Sequence, residues 1–275
     1  MNTFKIKLEG SVAKLILSEP APGETGGDFP DSLRAAVRLA NESSARALVL
    51  TSETGNFLVT NDPSELMAHG SKWLEAFVAD VMGSIRIIEE MRIPTIASVA
   101  GNAFGGGFEV ALACDFLVVS DQTTLWLPEA AVGAVPLAGG VQRVAERVGR
   151  ARAARLTLLA EPVSGKAALE MGLATHLAPA AEMERVTADL ATHIVRAPSR
   201  SFAAIRSLLR AWSVGGVSGA DVAMASINEG VFAMESTRRG MAAAAEAMKA
   251  GRPFEPLNFA DIEADHSFLP AAAAG

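Results

Sequence analysis

Apolar and polar side chains alternate at the start of the chain, where Phe4-Lys-Ile-Lys-Leu8 and Val12-Ala-Lys-Leu-Ile-Leu17 flank Gly10-Ser11. A period of two folded over a glycine predicts a β-hairpin. Residues 20–30 collect Gly, Pro and acidic side chains and read as a loop. Residues 30–40 carry their apolar side chains at helical spacing, and residues 47–51 read as a short buried strand. Residues 51–60 read as a loop and 63–67 as the opening of a short helix. From Trp73 to Met91 the apolar positions Phe77, Val81, Ile85 and Ile88 recur with the period of a helix. Residues 94–99 read as a strand again, followed by a glycine turn, a helix near 106–114 and a strand at 116–119.

Strand, turn and helix thus alternate through the first two-thirds of the chain. Parallel strands need helical crossovers, so this order predicts an α/β core with parallel pairing. Beyond about Pro179 the strand patterns stop, and residues 180–195, 199–212 and 220–250 read as helices. The division expected is an α/β core over 1–195 and a helical region with a frayed tail over 196–275. No internal sequence repeat and no sustained heptad is visible.

Composition narrows the function. With 275 residues, half of them apolar, the chain can bury a full core without disulfide or metal staples. Its one cysteine, Cys114, lies in an apolar run and reads as a small buried hydrophobe in a reducing compartment. The start, Met1 to Ile6, lacks the basic and apolar pattern of a secretory signal. No uninterrupted apolar run approaches the roughly 18 residues of a membrane span. A cytoplasmic protein with no membrane partner is expected. The net charge of −7 argues against a nucleic-acid partner, which would require a basic surface.

Several familiar chemistries lack their motifs. Gly105 and Gly107 begin a dinucleotide pattern, but position 110 is Val. The histidines, His69, His176, His193 and His266, have no metal-ligand spacing, so no metal is expected. What stands out instead is a pair of glutamates. Glu109 follows Gly105-Gly-Gly107, Glu129 follows Pro128, and Val110-Ala-Leu-Ala-Cys-Asp-Phe-Leu-Val-Val119 lies between them. A carboxylate is rarely buried unless it is paired or its pKa moves. A helix opened by glycines offers unpaired N–H groups that polarise a carbonyl and hold the oxyanion formed on it. Two carboxylates beside such donors suit general acid/base work.

The same residues carry a resemblance. Ile93-Pro-Thr-Ile-Ala-Ser-Val-Ala-Gly-Asn-Ala-Phe-Gly-Gly-Gly-Phe-Glu-Val-Ala-Leu-Ala-Cys-Asp115 closely resembles the signature of the crotonase (enoyl-CoA hydratase/isomerase) superfamily. Leu127-Pro-Glu-Ala-Ala-Val-Gly-Ala-Val-Pro136 and Gly139-Gly-Val-Gln-Arg143 continue it, and the likeness runs through most of the chain from about Ala47. It implies a spiral of repeated ββα units with C-terminal helices that assemble trimers or dimers of trimers. It also implies an acyl-CoA or enoyl-CoA substrate and no cofactor beyond the coenzyme A that the substrate brings. Carried over by position, the backbone N–H groups of Asn61 and Gly106 form the oxyanion hole. Glu109 activates water and Glu129 protonates Cα. Asp62, Pro63, Ser64, Gly105, Gly107 and Gly133 are the substrate-binding residues that the resemblance implies.

Retention of both glutamates favours an enoyl-CoA hydratase. The alternatives are an isomerase, hydrolase, dehalogenase or decarboxylase on the same oxyanion hole, or a non-catalytic acyl-CoA-binding homologue. The chain departs from the family in four places. Ser18 to Asp28 has no Asn-Ala-Leu, Val59-Thr-Asn-Asp62 is bulkier than Ala-Gly-Ala-Asp, Leu137 stands where glycine is usual, and the basic-aromatic ending is thinned to Met248-Lys-Ala-Gly-Arg-Pro-Phe254. The stripe Ile205, Leu208, Leu209 and Trp212 fits either self-assembly into a homo-oligomer or packing on its own core.

Overall fold

A computed structural model of the protein describes residues 4–18, 29–59 and 67–263. The chain divides into two compact units, Met1–Ala191 and Thr192–Gly275.

In the first unit the expected hairpin forms from β1 (Phe4–Glu9) and β2 (Val12–Leu17), with Glu9 opposite Val12. In β2 the alternation is literal: Ala13, Leu15 and Leu17 are buried and the residues between them are not. Helix α1 (Phe29–Glu42) follows and buries Leu33, Ala36, Val37 and Ala40, the stripe that its period places on one face.

The next three segments share one plan. Strands β3 (Ala47–Ser52) and β4 (Phe57–Val59) lead to α2 (Ser71–Glu89). Strands β5 (Thr95–Val99) and β6 (Ala103–Phe104) lead to α3 (Gly105–Leu112). Strands β7 (Phe116–Ser120) and β8 (Thr124–Trp126) lead, through a 3-10 turn at Glu129–Val132, to α4 (Gly140–Leu158). The first strand of each pair joins one sheet and the second joins another. With β9 (Val163–Ser164), α5 (Gly165–Glu170) and β10 (His176–Ala178) the sheet orders become β1-β2-β3-β5-β7-β10 and β4-β6-β8-β9. Each unit therefore advances one parallel strand along both sheets at once, which is the spiral of ββα units expected.

Side chains stitch the crossings from sheet to sheet. Asn56 Oδ1 accepts from the Asn102 N–H at 2.8 Å, and Asn102 Oδ1 accepts from the Thr124 N–H at 3.2 Å. Thr123 Oγ1 donates to the Val99 carbonyl at 2.9 Å. At the other end of the strands Asp115 Oδ2 accepts from both the N–H and the hydroxyl of Thr95, at 2.7 and 3.0 Å, and fixes β7 against β5. Central strands covered on both faces read as continuous apolar runs rather than alternating ones. All of β5 and most of β7 are buried, along with Leu48, Leu50, Ile96, Leu117 and Leu125.

One expectation needs correction. Residues 51–60 are not loop throughout, because Phe57–Val59 forms β4. The short strands β6, β8 and β9, with two or three residues each, have no period long enough to read from sequence. The expected loop at 20–28 and the short helix's start at 63–66 lie outside the described residues.

Beyond β10 the described residues hold no further strand. After a 3-10 turn at Ala180–Glu182, α6 (Met183–Arg196) crosses the division between the units. The second unit contains α7 (Ser199–Phe232), α8 (Glu235–Lys249) and α9 (Phe259–Glu263). Helix α7 carries a non-helical residue at Gly216, and it runs through the gap expected between two separate helices. Along α7, Ile205, Leu209, Trp212, Val214, Val217 and Val222 are exposed. No helix among the described residues is long and apolar enough to cross a membrane.

Candidate active site

Helix α3 is eight residues long and buried along nearly its whole length. Its first residue, Gly105, has φ of +50°, and the Cβ of any other residue there would lie 3.1 Å from Glu129 Oε1. Gly105 and Gly107 are buried, whereas Gly106 between them keeps partial exposure. The N–H groups of a first helical turn have no partners within the helix. Gly106 is thus an accessible donor at the positive end of α3.

Glu109 stands one turn further along the same helix, with only 3% of its surface exposed. Its Oε1 accepts two hydrogen bonds, from the N–H of Ala138 at 2.9 Å and of Gly140 at 2.7 Å. Burial pushes its pKa up to about 7. The Gly140 N–H opposes that rise, the charge of Glu129 adds to it, and the Ala138 N–H and the Arg143 guanidinium oppose it again.

Glu129 opens the 3-10 turn after Pro128 and is half-buried. The turn ends at Gly133, whose φ of +76° turns the chain so that the next N–H, of Ala134, reaches the Glu129 carbonyl at 2.9 Å. Burial raises the Glu129 pKa as well, opposed by its own backbone N–H. Its Oε2 is buried and has no hydrogen-bond partner among the described residues. A buried carboxyl oxygen without a donor favours the neutral acid. The two glutamates therefore meet at the start of α3, near enough for one charge to act on the other.

Of the residues that the sequence singles out, Glu109, Glu129, Gly105, Gly106 and Gly107 come together, and Gly133 ends the turn that carries Glu129. Asn61, Asp62, Pro63 and Ser64 lie outside the described residues. Sequence reasoning did not find Ala138 and Gly140 as the donors on Glu109, nor Arg143 and Glu89 behind them. The adjacent glycines Gly139-Gly140 ahead of a helix were the available signal. Among the described residues no three His, Cys, Asp or Glu side chains gather as a metal site would require.

The profile of the enoyl-CoA hydratase/isomerase family matches residues 10–252. The carnitinyl-CoA dehydratase of Proteus mirabilis is 29% identical over 212 residues, which span 77% of this chain and 81% of that protein. An enoyl-CoA isomerase/hydratase of Mycosarcoma maydis is 31% identical over 176 residues, 64% of this chain and 63% of that one. Among solved structures, DspI of Pseudomonas aeruginosa superposes with a TM-score of 0.82 at 24% identity, covering 93% of this chain and 97% of its own. That last likeness concerns the fold alone.

Proposed function

Because the chain belongs to the enoyl-CoA hydratase/isomerase family and has the crotonase fold, we propose that it is an enoyl-CoA hydratase. It adds water across the 2,3 double bond of an enoyl thioester. The observation that carries this reading is the unequal pair of carboxyls at the head of α3. Glu109 is gripped by two N–H groups, and Glu129 carries a buried oxygen that no donor among the described residues satisfies.

The thioester carbonyl sits on the N–H of Gly106 and, by the family's pattern, that of Asn61. Water held by Glu109 gives up a proton to that carboxylate as its oxygen bonds to C3. The double-bond electrons move toward the carbonyl, and the enolate oxygen draws on the two donors. Glu129 then delivers its proton to C2, giving the 3-hydroxyacyl-CoA. One proton has entered Glu109 and one has left Glu129, so exchange with solvent resets the pair. Each aimed donor in such a hole is worth about 3 kcal/mol, and each placed acid or base roughly 10² to 10⁴ in rate. Two carboxyls and two N–H groups account for every proton and charge, so the only cofactor moiety in this reading is the substrate's coenzyme A. The reverse direction is a dehydration, the activity for which the Proteus relative is named.

The test is loss of conjugated-enoyl ultraviolet absorbance when crotonyl-CoA meets the protein, with Glu109→Gln and Glu129→Gln alongside. Loss with the native protein and with neither variant supports the reading. An isomerase is the second reading, favoured by the name of the Mycosarcoma relative. It needs a single proton shuttle, so substantial turnover by Glu109→Gln on a 3-enoyl substrate would select it. A cytoplasmic homo-oligomer, a trimer or dimer of trimers, remains part of the proposal. The exposed apolar row from Ile205 to Val222 on α7 supports association.

A further inference from the structure

The donors that hold Glu109 are themselves held. Arg143, on the first turn of α4, donates from Nη1 to the Ala138 carbonyl at 2.8 Å and to the Gly139 carbonyl at 3.3 Å. Its Nε and Nη2 engage Glu89, near the end of α2, at 2.7 and 2.9 Å. This fork-to-fork arrangement fixes a guanidinium plane in a way that a lysine point charge does not. Only 13% of the Arg143 side chain is exposed, which limits screening by solvent.

The two adjacent glycines each admit one partner. A Cβ at Gly139, where φ is +87°, would lie 2.3 Å from Arg143 Nη1. A Cβ at Gly140 would lie 2.9 Å from Glu109 Cγ and 3.0 Å from its Oε1. The loop is thus squeezed between a guanidinium on one side and a carboxylate on the other. Its carbonyls face the first and its N–H groups the second.

We propose that Arg143, tethered by Glu89, is a positioning residue for Glu109. The chain of contacts runs from Glu89 to Arg143, to the carbonyls of Ala138 and Gly139, and through the N–H groups of Ala138 and Gly140 to Glu109 Oε1. It fixes one carboxylate oxygen so that the other meets the water. This inference rests on the hydratase reading for its catalytic consequence and not for its geometry. Among the described residues the charged groups acting on Glu109 are Glu129, from the 3-10 turn, and Arg143, from α4.

The experiment follows the Glu109 carboxyl carbon by NMR in glutamate-labelled protein, assigned by its disappearance in Glu109→Gln. Native protein is compared with Arg143→Gln, Arg143→Lys and Glu89→Gln. Arg143→Gln removes both the cation and the grip on the loop, so the Glu109 midpoint moves upward from about 7. Arg143→Lys keeps the charge without the fork, and its midpoint falls between the two. With crotonyl-CoA, Arg143→Gln lowers kcat about 10²-fold and leaves KM within about threefold, as expected for a misplaced catalytic group. Glu89→Gln leaves the Arg143 charge in place and frees only its fork, so it lowers kcat by less than Arg143→Gln does. An unmoved Glu109 midpoint in an Arg143→Gln protein of native circular dichroism, or an unchanged kcat in Glu89→Gln, overturns the proposal. If the midpoint moves but native protein hydrates no enoyl-CoA, the positioning stands and the hydratase reading falls.

Discussion

Glu109 is a carboxyl that the fold makes hard to ionise, and this has a measurable effect on stability. It ionises near 4.5 in an unfolded chain and at about 7 in the folded one. Each pH unit between the two corresponds to about 1.36 kcal/mol, so the fold loses on the order of 3 kcal/mol by the time Glu109 is fully ionised. The sign follows from proton counts. Between pH 4.5 and 7 the folded protein keeps a proton that the unfolded chain has released, so stability falls as pH rises through that window. Glu109→Gln removes the titration while its amide oxygen can still accept from Ala138 and Gly140. Urea unfolding of native protein and variant at pH 4.5 and pH 8 gives a double difference that cancels the titrating groups not coupled to Glu109. The variant should gain about 3 kcal/mol relative to native protein between the two values. A double difference near zero, or of opposite sign, would refute the argument that burial dominates at this carboxyl.

Three further outcomes follow from the same geometry. If the pair works with one shared proton, kcat/KM for crotonyl-CoA falls as pH rises through about 7, where that proton leaves Glu109, and a profile flat from pH 5 to 9 would remove the pair from that role. Gly140→Ala drives a methyl into Glu109. It should cost roughly 1 to 3 kcal/mol by overpacking and abolish hydration, as read by thermal melting and by the absorbance assay. Arg147 donates to the carbonyls of Leu112 at 3.1 Å, of Cys114, and of Leu173 at 3.4 Å, where α3 ends. Arg147→Met should therefore destabilise by about 2 to 3 kcal/mol while kcat of the protein that remains folded changes little; a large drop in kcat with an unchanged melting temperature would contradict this.

The helices and the longer strands were legible because their periods run for several turns or pleats. The hairpin's alternation from Phe4 to Leu17 and the stripe from Phe77 to Ile88 each carry enough positions to fix a face. The second strand of each ββα unit was not legible, because β4, β6 and β8 span only two or three residues. Nor was the repeat itself. It resides in crossings closed by Asn56, Asn102 and Thr124, whose bonds link one unit to the next rather than neighbours in sequence. At the site, Glu109 and Glu129 stood out as carboxylates next to apolar chain. Their support did not, since Ala138 and Gly140 act through backbone N–H groups that any residue but proline possesses. Arg143 and Glu89 lie 54 positions apart, and nothing in either segment announces the other.

In the proposed reaction two identical side chains take opposite roles, and unequal loss of water on substrate binding gives the reason. In the free protein Glu109 has almost no water left to lose, being 3% exposed, while Glu129 is half-buried. An acyl thioester seated on the head of α3 would cover Glu129 and leave the desolvation of Glu109 nearly unchanged. Further burial disfavours the charged form, so binding raises the affinity of Glu129 for a proton more than that of Glu109. The anion left on Glu109 has two N–H groups and the Arg143 charge to hold it, whereas an anion on Glu129 would have its own N–H and an unsatisfied Oε2. Both effects move a shared proton from Glu109 to Glu129 as the site fills. That is the protonation state the proposed hydration requires, with Glu109 taking a proton from water and Glu129 giving one to carbon. The midpoint of Glu109 should accordingly fall when a saturated acyl-CoA fills the site, as read from its carboxyl carbon. A midpoint that rises instead would assign the acid and base the other way round.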